Sequence, residues 1–224
     1  MAPIILYNFD PSPPCFLVRV IADILGVELK KIPIKDITKE MAAPEMTKKN
    51  PQRTVPTVDD NGLYLAESRA IASYLISKYG KNDSLYPKDA SKRVLVDQRL
   101  YFDTELYKSF EVVWAGDFFA GFVPKHDMDR LILGLEILNR MLEGKEWLAL
   151  DHISLADYAT AATMAALEYI PHLKLDLSKY GNISRWLRRV ENSFPRYAEL
   201  KKIYSDSVVA LMEEQKKQKQ GQRK

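Results

Sequence analysis

The chain has 224 residues, of which 46% are hydrophobic and 28% are charged, with a formal net charge of +3. This composition is typical of a soluble globular protein with room for two modest domains. The single cysteine, Cys15, excludes a disulfide framework and a cysteine-based zinc cluster. It indicates a reducing compartment, and we expect the protein to be cytoplasmic.

The net charge comes from the C-terminal end of the chain. Residues 213–224 hold five lysines and arginines against two glutamates, so the remainder is neutral by formal count. A lysine- and glutamine-rich segment without apolar residues buries too little surface to order itself, and we expect a basic, disordered tail here. We predict no nucleic-acid or membrane function, with a contact between this tail and phosphate groups as the alternative.

Secretion and membrane insertion are not expected from the apolar segments. Residues 3–7 are apolar, but the stretch is short and is followed by Asn8 and Asp10, so it predicts a strand rather than a signal peptide. The most apolar helical segment, residues 158–170, is shorter than the roughly 20 residues that a bilayer requires.

The first 34 residues predict a β-α-β unit. Residues 4–7 form the first strand, and Pro13 and Pro14 suit the first turn of a helix because their missing N–H groups would be unpaired there. Apolar residues then recur at helical spacing up to Gly26, where the helix ends. Residues 27–34 predict a second strand, which is parallel to the first because a helix connects the two.

A hairpin is predicted after the turn that begins at Asn50. Pro56 places residues 54–58 at a strand start or a sheet edge, because proline cannot donate to a central ladder. Residues 59–62 supply the positive-φ positions of a tight turn, and residues 63–65 form the returning strand.

The hairpin leads into a helix that opens at Glu67 and Ser68 and stops at Gly80. With a short helix expected at residues 44–48, the order of elements is β-α-β, short helix, β-β-α. This order predicts an α/β thioredoxin-like N-terminal domain, which we place at residues 1–82.

Strand patterns disappear after a linker at residues 83–89. Several segments with helical periodicity follow, which predicts an all-α C-terminal helical domain at residues 90–212. Ser154 and Asp157 form a capping box, in which each satisfies a free backbone N–H group of the other. The predicted helices cover residues 91–110 or beyond, 127–142, 154–169, 183–193 and 195–212.

The turn before the first helix offers a candidate for catalysis. A thioredoxin-type domain carries two redox cysteines here, but this chain has Ser12 at the first position, so Cys15 lacks a second thiol for dithiol exchange. We interpret Cys15 as a buried packing residue. Ser12 lies beside a helix N-terminus, where its hydroxyl either hydrogen-bonds an anion or only caps the helix.

Two further regions could bind ligands. Glu67 and Ser68 either cap their helix or bind the charged groups of a ligand. Large apolar side chains between residues 106 and 122 either form a core or line an apolar cleft. The three histidines are scattered and match no metal-binding motif, so we expect no metal site.

Short motifs along the chain are similar to those of cytosolic glutathione transferases, most closely the insect delta, epsilon and unclassified groups. The motifs are Tyr7 with SPPC at residues 12–15, NPQRTVPT at 50–57, ESRAI at 67–71, SLYP at 84–87, VDQRLYFD at 96–103 and SLAD at 154–157. The resemblance extends from about residue 3 to the last helix. It implies a thioredoxin-like glutathione-binding domain, an all-helical second domain and a homodimer.

The resemblance also assigns roles to individual residues. Ser12 would donate its hydroxyl to the glutathione sulfur, and Pro56 would be a cis-proline that lets the Val55 backbone pair with the cysteinyl unit like an added strand. The γ-glutamyl ammonium and carboxylate would be held by Glu67 and Ser68, with Arg69 in the same glutathione-binding set. The hydrophobic substrate would contact Leu106, Phe110, Trp114, Phe118 and Phe119, with Tyr204 of the last helix over it.

Two positions depart from the family pattern at the glycyl end of glutathione. The family usually has histidine where Arg53 stands, and commonly another histidine where Met41 stands. Arg53 can pair with the glycyl carboxylate independently of pH, whereas Met41 cannot.

The function implied by the resemblance is that of an enzyme with glutathione as co-substrate, which conjugates the thiol to hydrophobic electrophiles in the detoxification of xenobiotics. A non-enzymatic carrier of apolar ligands on the same fold is one alternative. Glutathione-dependent peroxidase or isomerase activity is another.

Overall fold

The computed structural model describes residues 3–169 and 176–221. These residues form two compact units, one made of residues 3–79 with 195–221 and the other lying within residues 80–194. Residues 170–175 and 222–224, which belong to the predicted helical domain and the predicted tail, lie outside the described part.

The first unit contains a mixed four-stranded sheet. Its strands are β1 (Ile4–Asn8), β2 (Leu29–Pro33), β3 (Thr57–Asp60) and β4 (Leu63–Leu65). The spatial order is β2-β1-β3-β4, with β1 and β2 parallel and with β3 antiparallel to both β1 and β4. The positive φ angles of Asn61 and Gly62 make the tight turn between β3 and β4, whereas Asp59 and Asp60 belong to the strand.

Within the described residues, four helices precede residue 80 in the same unit. They are α1 (Pro13–Leu25), α2 (Ile37–Glu40), α3 (Pro44–Lys49) and α4 (Ser68–Tyr79). Helix α1 ends at Gly26 in the left-handed conformation, as predicted. The sequence did not predict α2, a single turn that begins where Asp36 accepts the Lys39 N–H. The thioredoxin-like arrangement predicted for this part of the chain is confirmed.

The second unit is helical. It contains α5 (Ala90–Ala115), a π-helical segment (Gly116–Ala120), α6 (Lys125–Met141), α7 (Leu155–Leu167), a short 3-10 helix (Leu177–Lys179) and α8 (Gly181–Glu191). Helix α7 is buried along its whole length, and α5 packs against both α6 and α7. The predicted all-α character of this unit is confirmed.

The predicted capping box opens α7 and extends further into the unit than the sequence indicated. Asp157 accepts from the backbone N–H and hydroxyl of Ser154, both at 2.9 Å. Its other carboxylate oxygen accepts from the Leu148 N–H and the Trp186 indole N–H, both at 2.8 Å. The buried Asp157 carboxylate therefore connects the start of α7 to α8 and to Leu148, in the segment that precedes α7.

The last helix, α9 (Tyr197–Gly221), belongs to the first unit and not to the helical domain in which the sequence had placed it. Tyr197 and Tyr204 are buried against Phe16 of α1, with ring centroids 5.9 and 5.1 Å from the Phe16 centroid. This packing depends on a contact between residues almost 190 positions apart, which helical periodicity cannot predict. The helix runs to Gly221, beyond the predicted end at residue 212.

Within the described ranges, no helix combines the length and the apolar character needed to cross a membrane.

Candidate functional site

Ser12 lies at the N-terminus of α1, on the loop that follows β1. Its backbone N–H donates to the Phe9 carbonyl at 3.0 Å, and its hydroxyl oxygen accepts from the Cys15 N–H at 3.3 Å. Because the oxygen is the acceptor in this cap, the hydroxyl proton remains available as a donor. The cap and a role toward a ligand are therefore compatible, although the sequence presented them as alternatives.

Cys15 is buried inside the first unit, as predicted. Its Sγ accepts from the Phe9 N–H at 3.5 Å. Burial raises the pKa of the Cys15 thiol to about 11, against smaller lowering effects of these hydrogen bonds and of Arg19. The group is therefore a neutral thiol at physiological pH and a poor nucleophile.

A buried arginine holds the loop that carries Ser12. The Arg19 side chain is 6% exposed, and it forms an ion pair with the Asp10 carboxylate. Its guanidinium also donates to the Asn8 side-chain oxygen at 3.3 Å and to the Asp10 carbonyl at 3.1 Å. The sequence analysis missed this group, although a single arginine within the apolar pattern of α1 and the polar residues Asn8 and Asp10 were visible in the sequence.

The loop before β3 is held by the buried side chain of Asn50. Its amide donates to Thr54 O at 3.0 Å and to Thr57 Oγ1 at 2.8 Å, while its oxygen accepts the Gln52 N–H at 3.0 Å. This arrangement fixes both ends of the segment that contains Val55 and Pro56. The Val55–Pro56 peptide is cis, as the resemblance implied.

Arg53 lies on the same loop, exposed and with a φ of 58°. Among the described residues, its side chain forms neither a hydrogen bond nor an ion pair. Met41 is fully buried in a cluster with Tyr7, Ile34 and Met46, so its side chain packs and does not face a ligand. Of the two positions that depart from the family pattern, Arg53 therefore presents a free charge.

Tyr7 has its own partner in this cluster. Its hydroxyl accepts from the Lys49 ammonium at 2.7 Å, and that ammonium also lies 5.1 Å from the Tyr7 ring centroid. The hydrogen bond that Lys49 donates to the Tyr7 hydroxyl raises the pKa of Lys49, so the lysine remains charged. Tyr7 is therefore, like Ser12, the acceptor in its hydrogen bond, and it belongs to the buried cluster that contains Met41.

Helix α4 begins with three candidate residues in sequence. Glu67 has a φ of 66°, and its carbonyl accepts the Ile71 N–H at 2.8 Å, so its backbone starts the helix while its side chain is exposed. Ser68 is buried, and its hydroxyl accepts from the Arg69 guanidinium at 3.2 Å. A non-glycine residue held at positive φ costs of order 1–3 kcal/mol and is often found at binding sites.

The predicted apolar surface of the second unit is partly core and partly exposed. Leu106 and Phe110 are buried on α5, whereas Trp114 is half-buried and Phe119 is 66% exposed. Trp114 stacks on Phe118 with centroids 4.4 Å apart, and Phe119 meets Phe118 edge to face at 5.0 Å. The π-helical segment carries both phenylalanines, which turns them from the register that an α-helix would give.

Tyr204 is not part of this aromatic group. It is buried on α9 in the first unit and stacks on Phe16, as described above. No group of three or more histidine, cysteine, aspartate or glutamate side chains within the described residues could hold a metal ion.

Parts of both units match domains of known proteins. Residues 6–83 match the model of the glutathione S-transferase N-terminal domain, and residues 127–193 match that of the C-terminal domain. Glutathione S-transferase D7 of Drosophila melanogaster is 39% identical over 193 residues, which cover 85% of this chain and 85% of that protein. The chain belongs to the glutathione S-transferase family.

Solved structures are similar to this transferase over nearly its whole length. A delta-class glutathione transferase from Nilaparvata lugens is 39% identical, with a TM-score of 0.83 over 93% of this chain and 99% of the other. A glutathione transferase homologue from Drosophila mojavensis, solved with bound glutathione, is 33% identical, with a TM-score of 0.82 over 94% and 96% of the two chains. The predicted family, fold and transferase function are confirmed, and the carrier, peroxidase and isomerase alternatives are not favoured.

Proposed function

We propose that the protein conjugates glutathione to hydrophobic electrophiles and that Ser12 stabilises the reacting thiolate. The supporting observation is the hydroxyl of Ser12, whose oxygen accepts from Cys15 and whose proton is therefore free to donate. The adjacent N-terminus of α1 adds a partial positive charge, which favours an anionic sulfur at the same place.

The chemical benefit of such a donor is thiol ionisation. A free thiol with a pKa of about 8.5 is only a few per cent thiolate at pH 7, and the thiolate is the nucleophile. Each pKa unit by which a site lowers this value represents about 1.36 kcal/mol, or nearly tenfold more nucleophile until ionisation is complete. The Cys15 thiol does not compete, because burial keeps it protonated.

We propose that two segments bind the glutathione backbone, namely the loop that Asn50 holds and the start of α4. The Val55 backbone, next to the cis peptide of Pro56, would pair with the cysteinyl unit as an added strand does. Glu67 and Ser68, with Arg69, would bind the γ-glutamyl end of glutathione. The N-terminus of α4 favours the carboxylate of that end, and the Glu67 side chain attracts its ammonium.

The electrophile would bind the aromatic group of the second unit. Phe119 is exposed and Trp114 is half-buried, so both offer ring surface to an apolar ligand. The buried members, Leu106, Phe110 and Phe118, would support that surface from below. Phe16 already covers Tyr204, so we assign Tyr204 to packing rather than to the electrophile.

We further propose a cytoplasmic homodimer, with the N-terminal unit holding glutathione and the helical unit holding the second substrate. The family to which the chain belongs supports this proposal, and light scattering of the purified protein tests the dimer.

Replacing Ser12 by glycine tests the central role. Glycine at an N-cap costs only a few tenths of a kcal/mol, so helix α1 should persist without the hydroxyl. We expect the thiol pKa of the glutathione complex, taken from the pH profile of kcat/KM with an aromatic electrophile, to rise by about one unit, with roughly tenfold less activity at pH 7.

Cys15→Ala is the control, because it leaves the Ser12 hydroxyl in place. An unchanged pH profile in the Ser12→Gly protein would refute the role of Ser12. Quenching of an apolar dye without consumption of glutathione by the native protein would instead indicate a carrier.

A further inference from the structure

We propose that Arg19 is a positioning residue, which fixes the loop between β1 and α1 so that Ser12 presents its hydroxyl in one direction. The proposal rests on the role assigned to Ser12 above. Arg19 itself is buried and does not face a ligand, so it would act only through the loop.

The contacts of Arg19 are concentrated on this loop. Its guanidinium binds three oxygens, which belong to the Asn8 side chain, the Asp10 side chain and the Asp10 backbone. Asn8 in turn donates to the Asp10 carboxylate at 2.9 Å. The guanidinium thus ties the loop to the second turn of the helix that Ser12 caps.

Ser12 depends on the geometry of the residues that Arg19 holds. Its N–H donates to the carbonyl of Phe9, which lies between the two residues bound by the guanidinium. The Asn8 carbonyl accepts the Ile34 N–H at 2.7 Å, so the sheet fixes the start of the loop and Arg19 fixes its middle. Without Arg19, the hydrogen bond from Asn8 would be the one that remains on Asp10 among the contacts described above.

A contribution to stability alone does not explain why arginine occupies position 19. The Asp10 side chain is 46% exposed, and an ion pair with a solvated partner contributes little to stability. Burial also lowers the pKa of Arg19, with Asp10, Cys15 and Tyr204 as the ionisable groups that act on its charge. An apolar residue would serve packing at least as well, whereas the planar fork of arginine binds several oxygens in fixed directions.

Arg19→Met tests the proposal, with Arg196→Met as the matched control. Arg196 also pairs with an aspartate of α1, since its guanidinium lies 2.5 Å from Asp23, but that contact is at the opposite end of the helix. We expect Arg19→Met to lower kcat at pH 7 by up to roughly tenfold, no more than Ser12→Gly does, with little change in KM for glutathione. Arg196→Met should leave both constants near their native values.

A double-mutant cycle with Ser12→Gly separates positioning from a general loss of structure. If Arg19 acts through Ser12, the double variant should be no slower than Ser12→Gly alone, and the thiol pKa should rise equally in all three variants. Additive losses of kcat would overturn the proposal. If Ser12→Gly has no effect, the proposed function fails, whereas an effect of Ser12→Gly without one of Arg19→Met refutes the positioning role alone.

Arg19→Lys and Asp10→Asn keep the test decisive if the methionine variant does not fold. Lysine retains the charge but not the fork, and asparagine retains an acceptor but not the charge. We expect both to show part of the rise in thiol pKa with unchanged thermal stability. A native pH profile in both variants would contradict the proposal.

Discussion

At the scale of single residues, Arg53 distinguishes this chain from the family pattern. The Arg53 side chain is exposed. Arginine in general stays charged at every physiological pH, whereas histidine ordinarily loses its charge near pH 6.5. We therefore expect Arg53→His to raise KM for glutathione only as the pH rises from 5.5 to 8. The expected increase relative to the native protein is about two- to fivefold, which is the range for an exposed ion pair.

Arg53→Gln is the control for this prediction, because it removes the charge without introducing a titrating group. Its KM relative to the native protein should be raised by a similar factor at every pH. If the ratio of KM for glutathione between Arg53→His and the native protein did not vary with pH, the side chain at position 53 would not contact the glycyl carboxylate. Histidine also tolerates the positive φ angle of the position better than most residues do.

Some site residues could be predicted from the sequence and others could not, for a physical reason. The position of Ser12 follows from local rules, since a serine before two prolines marks the start of a helix. The role of Arg19 depends on which way its side chain points and on the path of a loop nine residues earlier. Local patterns determine neither, so Arg19 could be noticed in the sequence but not assigned.

At the scale of elements, the junction between α5 and the aromatic group depends on Gly116. A Cβ atom at Gly116 would lie 2.8 Å from the backbone carbonyl oxygen of Phe122. The backbone N–H of Phe122 also donates to the Gly116 carbonyl at 3.2 Å. We expect Gly116→Ala to destabilise the protein by about 1–3 kcal/mol, as overpacking does, and to lower kcat/KM for apolar electrophiles. Urea unfolding and the conjugation assay measure the two effects.

Gly134→Ala is a matched comparison within the same unit. A Cβ at Gly134 would also lie 2.8 Å from its neighbour, but that neighbour is the flexible end of the Leu106 side chain. Alanine additionally gains up to about 1 kcal/mol in helix propensity over glycine. Equal destabilisation by the two substitutions would indicate that the backbone contact at Gly116 has no special importance.

The elements themselves were predictable where local signals were strong. Caps, apolar periodicity and the Asn61–Gly62 turn located β1 to β4, α1 and α4 within a few residues. Helix α2 has only four residues, too few for a periodic pattern, and the π-helical segment interrupts the α-helical period altogether. The assignment of α9 to the first unit required knowledge of its contact with Phe16, which is tertiary packing.

At the scale of the whole molecule, two buried carboxylates should make stability depend on pH in opposite directions. Burial acts to raise the pKa of Asp60, but hydrogen bonds from Lys78, Tyr74, Tyr79 and Asn61 outweigh it and hold the pKa below the usual range. The pKa of Asp157 is raised, because burial outweighs the hydrogen bonds that its carboxylate accepts. The contribution of Asp157 to stability therefore decreases as the pH rises above the ordinary aspartate value of about 3.9.

Of these two carboxylates, Asp60 should have the larger effect on the loss of stability in acid. Since its pKa in the folded protein is depressed, its contribution to stability is present above about pH 4 and is lost as the pH falls below that value. At pH 7 we expect Asp60→Asn to melt roughly 3 to 10 °C below the native protein, because hydrogen bonds to a charged group are lost. This difference should shrink steadily in melts recorded from pH 4 to pH 2.5. Asp59→Asn, one residue earlier on β3, should show no comparable decrease in its melting-temperature difference, because within the described chain the Asp59 side chain accepts a hydrogen bond only from the Gly62 N–H. A constant difference at all pH values would mean that the Asp60 carboxylate stabilises the fold through its shape rather than its charge.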